Sequence, residues 1–426
     1  MSRFPSLALA CLAALIFAGG GRTAGAVTLS ISCGAVGLEL ELCRKAAEAW
    51  SQESGHEVKI VSTPNSSTER LALYQQILAA QAGDIDVLQV DIVWPGLLGS
   101  HFVDLNDYIG AETVEAFFPA LIAANTTAEG ALLALPLYTD AGMLYARQDL
   151  LEKYGLNMPD TWEALTQAAE IIQAGERAAG NADFWGYVWQ GRAYEGLTCN
   201  ILEWVHSHGG GSFVEEDGTI SIANPQAQEA LSLAASWVDT ISPTGVLNYS
   251  EEEARGVFQS GNAAFMRNWP YAWALGNAED SLVKGKIAVA PLPRGPEGES
   301  TATLGGWSLA VSRYSKHPEL AADLVKHMTG VAEQKRRAQE SAYNPTRPAL
   351  YQDADILAAN PFFATLPEIL DKAVARPSTV TGRHYNRVSN AIWSTVHAAL
   401  SGEAPPESQT EALEARLRRI GRGGRW

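Results

Sequence analysis

The sequence predicts an α/β protein of two domains between which the chain passes more than once, and three observations predict it. The 426 residues exceed what one hydrophobic core normally organises. Near the N-terminus, β-rich runs alternate with runs of helical spacing, the pattern of a parallel sheet with crossover helices. Strand-like runs then return late, at 286–291 and 308–312, after a long and mostly helical stretch. A 46% hydrophobic content supplies the cores, and 19% charged residues is too low for a disordered or fibrous chain.

Residues 1–26 have the form of a signal peptide: Arg3 as a thin positive start, an apolar stretch over 7–18, and Ala24-Gly25-Ala26 as an A-x-A cleavage site. A membrane anchor needs about 20 apolar residues, and Gly19-Gly20-Gly21-Arg22 breaks this run. The mature chain is expected to be exported and to begin at Val27. Losing the leader removes Arg3 and Arg22 and no acid, which moves the formal charge from −17 to −19. Such a surface repels nucleic acid and anionic lipid, so neither is an expected partner. The Arg-rich end, 416–425, reads as the solvated last turn of a helix, where cations suit the dipole.

In chain order, 27–32 is β-rich, 38–54 has helical spacing and 57–62 is β-rich again, which makes a β-α-β unit. The 69–82 stretch carries Leu71, Tyr74, Ile77 and Leu78 on one helical stripe, and Asp86-Val87-Leu88-Gln89-Val90-Asp91 reads as a buried parallel strand. Open sheets of this kind place ligands at their strand ends. From Arg147 onward helices dominate. Asp160-Thr161-Trp162-Glu163 starts one with a capping residue and an acid three later. Others fit 197–206, 225–240, 251–261, 271–276 and 318–329, and continue to the end with a break near Gly402 and Pro405-Pro406. Cys33 and Cys43 lie at a strand end and inside a helix, near enough to form a disulfide in an oxidising compartment. Cys199, left over among apolar residues, reads as a buried small side chain.

Catalytic loops are missing: no G-x-S-x-G, P-loop or G-x-G-x-x-G after a strand occurs. His206 and His208, two apart, point to different sides of a helix, so no metal is expected. No cofactor is implied. Paired carboxylates that a glycosidase would use are available among 48 acids, but abundance has no specificity.

Aromatic-rich loop sequence, nearly free of charge, stands out instead: Phe184-Trp185-Gly186-Tyr187-Val188-Trp189-Gln190, Arg267-Asn268-Trp269-Pro270-Tyr271-Ala272-Trp273, and Leu304-Gly305-Gly306-Trp307. A sugar offers an apolar face of C–H groups and a rim of hydroxyls. A site for it therefore wants flat rings with carboxylates, amides and guanidinium groups at their edges. Trp162, Trp204 and Trp237 sit on helical apolar stripes and read as core. Trp269 and Trp307 sit in Gly-, Pro- or Asn-containing turns that can present a ring to a cleft.

The sequence resembles the trehalose/maltose-binding proteins of ABC importers, in the wider maltose-binding superfamily of periplasmic solute-binding proteins. The similar segments are Leu135-Pro136-Leu137-Tyr138-Thr139-Asp140-Ala141-Gly142, Trp185 to Gly191 with Tyr194-Glu195-Gly196-Leu197, the 261–273 run around Trp269, Val283-Lys284-Gly285-Lys286 with Ala290-Pro291-Leu292-Pro293, Thr303 to Trp307, and Ala375-Arg376-Pro377. They are spread over nearly the whole mature chain.

The resemblance implies a two-lobed, type II periplasmic-binding-protein fold of the Venus-flytrap kind, with a hinge and discontinuous lobes. On this basis the N-terminal lobe is 27–138 with 290–342, and the C-terminal lobe 139–289 with 343–426. Ligand contacts carry over residue by residue. They are Glu39 before the first helix, with Glu41 as the other candidate, Arg70 of the second helix, Asp91 at its strand end, and Tyr138 with Asp140 after the first crossover. Tyr194, Trp269, Tyr271 and Trp307 match aromatic contacts, Gly305 a backbone contact, and Arg376 the late arginine. The implied function is a periplasmic, monomeric, non-enzymatic protein that binds trehalose, maltose or a related disaccharide and delivers it to the permease subunits of the importer. A secreted glycoside-processing enzyme using two of these acids is the alternative.

Overall fold

The computed structural model describes residues 25–423 and 425–426, so most of the expected leader lies outside the described residues. The N-terminal alternation folds as the pattern requires. β1 (Thr28–Cys33) leads through helix α1 (Glu39–Ser54) to β2 (Glu57–Ser62), and α2 (Ser67–Ala79) leads to β3 (Val87–Asp91). All three strands are parallel, with β1 between the others. One core takes Leu42, Ala46 and Trp50 of α1, and another takes Leu71, Tyr74 and Leu78 of α2. Helices therefore cover both faces, which is why β1 after Thr28 and the whole of β3 are buried. Ser66 caps α2 by accepting the Glu69 amide at 3.4 Å. Cys33 at the end of β1 and Cys43 in α1 are joined in a disulfide across a Cα–Cα distance of 6.5 Å.

Short helices and turns lead from β3 to β4 (Leu135–Ala141), and only Gly142 separates it from β5 (Met143–Arg147). The next stretch holds α3 (Trp162–Ala178), β6 (Trp185–Val188), α4 (Glu195–Ser207), α5 (Pro225–Trp237), α6 (Glu251–Gln259), β7 (Ala263–Asn268) and β8 (Ile287–Ala290). β9 (Ala302–Val311) follows, then α7 (Pro318–Met328), α8 (Val331–Ser341), β10 (Ala373–Val374), α9 (Tyr385–Leu400) and α10 (Pro406–Ile420).

The strands form two sheets. The first runs β10-β9-β3-β1-β2 with β4 also paired to β9, and the second runs β6-β7-β5-β8. The chain thus passes from the first sheet to the second at Gly142 and returns between β8 and β9. The second sheet's core takes Leu144, Trp162, Leu165, Trp189, Trp204 and Trp237, together with Val388, Ile392 and Val396 from α9. The expected helical tryptophans are core: Trp237 packs 5.6 Å from both Trp162 and Trp204. Among the described residues, no helix is long and apolar enough to cross a membrane.

Three expectations are corrected. The Trp185–Val188 segment is a buried strand rather than a loop, and Tyr187 and Trp189 are wholly buried. Trp307 lies inside β9 rather than in a turn, because neighbouring strands on both sides hold its glycine-rich backbone extended. Thr161, not Asp160, caps α3, accepting the Ala164 amide at 3.1 Å.

Candidate ligand-binding site

Three strands of the first sheet lay a row of side chains toward the second. In the pairing of β9 with its neighbours, Trp307 stands opposite Asp91 on β3 and opposite Tyr138 on β4. Residues directly opposite share a face of the sheet. One row further, Asp140 stands opposite Gly305. A register irregularity between Pro136 and Tyr138 inserts one residue in β4, and this bulge sets the phase in which Tyr138 and Asp140 join the row.

The second sheet answers from the end of β7, where the turn at 269–271 carries two rings back over the row. Trp269 lies above Gly305 so closely that a Cβ there would come within 3.1 Å of the ring. Tyr271 stacks on Tyr343 with centroids 6.3 Å apart and planes 19° apart. The resulting recess between the sheets holds about 70 Å³ of free space.

Nine of the expected contact residues line this recess: Glu39, Asp91, Tyr138, Asp140, Trp269, Tyr271, Gly305, Trp307 and Arg376. Two do not. Arg70 is fully buried behind the wall, donating from Nε and Nη2 to the Pro64 carbonyl at 3.2 and 3.1 Å, with its guanidinium 4.2 Å from the Trp307 ring. It backs that ring rather than facing the space. Tyr194 lies buried against Gly196, one layer below the lining. Of the two acids at the start of α1, Glu39 is on the recess, whereas Glu41 is exposed and pairs with Lys45 at 3.1 Å. Glu39 accepts from the Gln89 amide, the Tyr138 hydroxyl and, at 3.3 Å, the Val36 backbone N–H.

Arg376 has its guanidinium between two carboxylates, donating to Asp91 at 2.9 Å and to Glu195 at 2.8 Å. Burial works against its charge, yet Asp91 and the other groups beside it hold its pKa above the ordinary value. Glu195 also accepts from Tyr385 and, at 2.6 Å, from Ser389, both on α9. Burial pushes the Asp140 carboxyl well above the usual range; Glu39 and Asp91 add to the effect and Arg267 opposes it. Burial likewise raises Glu195 and Glu251.

Sequence reasoning missed Glu195, Glu251 and Tyr343 on the lining. Glu195 follows Tyr194 in the Tyr194-Glu195-Gly196-Leu197 segment, where the aromatic neighbour is the more sugar-like contact. Glu251 opens a run of three acids that reads as a helix first turn, and it does form a first turn; it also accepts from the Trp269 indole at 3.3 Å. Tyr343 carries no local signal. Cys199 is free, buried and on the recess wall.

Rings, hydroxyl acceptors and a guanidinium donor converge here, and among the described residues no group of three or more His, Cys, Asp or Glu has the arrangement to hold a metal. Comparison with known proteins agrees with a binding role. The model of the bacterial extracellular solute-binding protein family matches residues 41–335. A probable ABC transporter-binding protein of Deinococcus radiodurans is 52% identical over 402 residues, covering 94% of this chain and 95% of that one. Among solved structures, maltose-bound T. maritima MalE3 superposes with a TM-score of 0.87 at 39% identity, covering 93% of this chain and 100% of that chain. A solute-binding protein of Agrobacterium radiobacter K84 in complex with ribitol shares the fold, with a TM-score of 0.82 at 21% identity over 92% of this chain and 98% of that one. The chain belongs to the bacterial extracellular solute-binding protein family, and it is a binder rather than the glycoside-processing enzyme that its paired acids allowed.

Proposed function

We propose that this solute-binding protein serves an ABC sugar importer and that its recess takes a disaccharide, with maltose, trehalose or a related α-glucoside as the class. The observation that carries the reading is the meeting of Trp307 and Tyr138 from one sheet with Trp269 and Tyr271 from the other around the carboxylates of Glu39, Asp91 and Asp140. Rings take the apolar faces of a pyranose and carboxylates take its hydroxyl pairs. Arg376 orients Asp91 and Glu195, Gly305 lets Trp269 approach, and Arg70 and Tyr194 brace the lining from behind. The maltose carried by the T. maritima relative supports the same class.

Ligand pockets usually enclose about 300 Å³ or more, against about 70 Å³ here. The two lobes, which meet at the crossings at Gly142 and between β8 and β9, therefore part to admit the sugar and close on it. A disaccharide of about 23 heavy atoms at roughly 0.3 kcal/mol per atom reaches a micromolar dissociation constant without covalent chemistry. Export with cleavage near Ala26 places the mature monomer in the periplasm, where the closed form docks on the permease subunits. A thermal-shift screen over maltose, trehalose, sucrose and the polyols mannitol and ribitol tests the reading. A saturable shift with disaccharides and no product release supports it; a shift with polyols alone refutes the disaccharide class.

A further inference from the structure

Glu203 of α4 and Arg267 of β7 are each wholly shielded from solvent and paired side-on: Arg267 Nε donates to Glu203 Oε2 at 2.8 Å and Nη2 donates to Oε1. The remaining guanidinium nitrogen donates to Gln190 Oε1 at 3.1 Å, and the Gln190 amide donates back to the Arg267 carbonyl at 2.9 Å. A buried ion pair is poor evidence of stabilisation, because its desolvation offsets most of the attraction and apolar residues of equal volume serve as well. What surrounds this pair gives it a different role.

On one side, the guanidinium carbon lies 3.9 Å from the Trp269 ring centroid, beneath the platform that lines the recess. On the other, Glu203 Oε1 accepts the Thr303 backbone N–H at 3.1 Å, where the chain has just returned to the first sheet. Gly142, the single residue between β4 and β5, packs against the same pair: a Cβ there would meet Glu203 Oε1 and come within 2.6 Å of Arg267 Nη2. One ion pair thus touches both strand crossings between the sheets and the ring at the recess.

We propose that Glu203 and Arg267 are positioning residues that couple the Trp269 platform to the two strand crossings between the sheets, so that seating a sugar ring on Trp269 and closing the lobes are one event. The proposal rests on reading the recess as the sugar site. Its physical content is a shared element whose arrangement both sites bias.

The test is amide hydrogen exchange on the intact protein without sugar, for Glu203→Gln and for Gly142→Ala, followed by calorimetry with maltose. Gly142→Ala displaces the carboxylate from the crossing side and keeps every charge, so it carries the test should Glu203→Gln fail to fold. The expected result is faster exchange at 142–144 and 302–304 and also at 269–271, with maltose affinity reduced about tenfold or more. Non-additive affinity losses for Glu203→Gln combined with Trp269→Phe would mark the coupling as direct. Faster exchange confined to the two crossings, with 269–271 at wild-type rates, would overturn the proposal, as would unchanged affinity in a folded variant. Should wild type bind no maltose or other disaccharide, the reading of the recess fails, while the exchange comparison still decides the coupling.

Discussion

Arg376 joins Asp91 at the end of β3 to Glu195 at the start of α4, with 2.9 and 2.8 Å hydrogen bonds from one guanidinium. Two buried carboxylates from opposite sides of the recess therefore depend on one cation. Its removal leaves both without their partner, and breaking a buried pair in this way costs about 3–5 kcal/mol. Arg376→Met is expected to lower the unfolding free energy by that amount in urea titration. Arg376→Lys should lose less, since a single ammonium keeps the charge but not the two-pronged geometry. A wild-type midpoint for Arg376→Met would show that the pair carries no such weight.

Asp140 sets a pH dependence of defined sign. Its folded-state pKa is held above the ordinary 3.8, by burial first and by Glu39 next. Such a group contributes stability that is full below the unfolded pKa and is lost as pH rises through the folded value. Asp140→Asn removes the loss, so it is expected to melt at higher temperature than wild type at pH 7, with the gap closing toward pH 4. Melting curves across that range check it, and a gap that widens on acidification contradicts it. Glu195 and Glu251 are shifted the same way, so wild type keeps some of this slope even when Asp140 is replaced.

Trp269 is the ring most committed to the recess, held between the Arg267 guanidinium and the Gly305 backbone. Trp269→Ala is expected to weaken maltose binding by about 2 kcal/mol or more, from lost stacking area and aromatic contact. Calorimetry reads the change, and circular dichroism verifies that the fold is kept. Unchanged affinity would remove Trp269 from the site.

The Cys33–Cys43 bridge closes a short loop at the first crossover, beside Glu39. Replacing both cysteines by serine is expected to cost about 2–4 kcal/mol. Denaturation with and without reductant gives the same comparison in the wild-type chain; equal midpoints would mean that the loop is held by packing alone.

Much of this arrangement is legible in the residues, and the failures have physical causes. β1, α1, β2, α2 and β3 are legible because local periodicity and burial agree there. β4 to β7 are harder to see: Leu135–Ala141 is buried along its whole length and so shows no alternation, and Trp185–Val188 contains a glycine and two large rings that resemble a loop. Gly305-Gly306 gives the sequence before Trp307 the look of a turn, and only the pairing with β3 and β4 makes it a strand. Among site residues, Asp91 and Asp140 stand at the ends of apolar runs, where a charge invites attention. Glu251 hides in a helix first turn that accounts for an acid by itself. Arg70 and Tyr194 have the right chemistry but stand one layer back, a distinction that residue type cannot carry.

The most direct test of the account is small-angle scattering combined with calorimetry on the wild-type mature protein, with and without maltose and trehalose. The account predicts a saturable heat of association with at least one disaccharide, a smaller radius of gyration in its presence and intact sugar recovered afterwards. Superimposable scattering profiles with no heat for any disaccharide would contradict it.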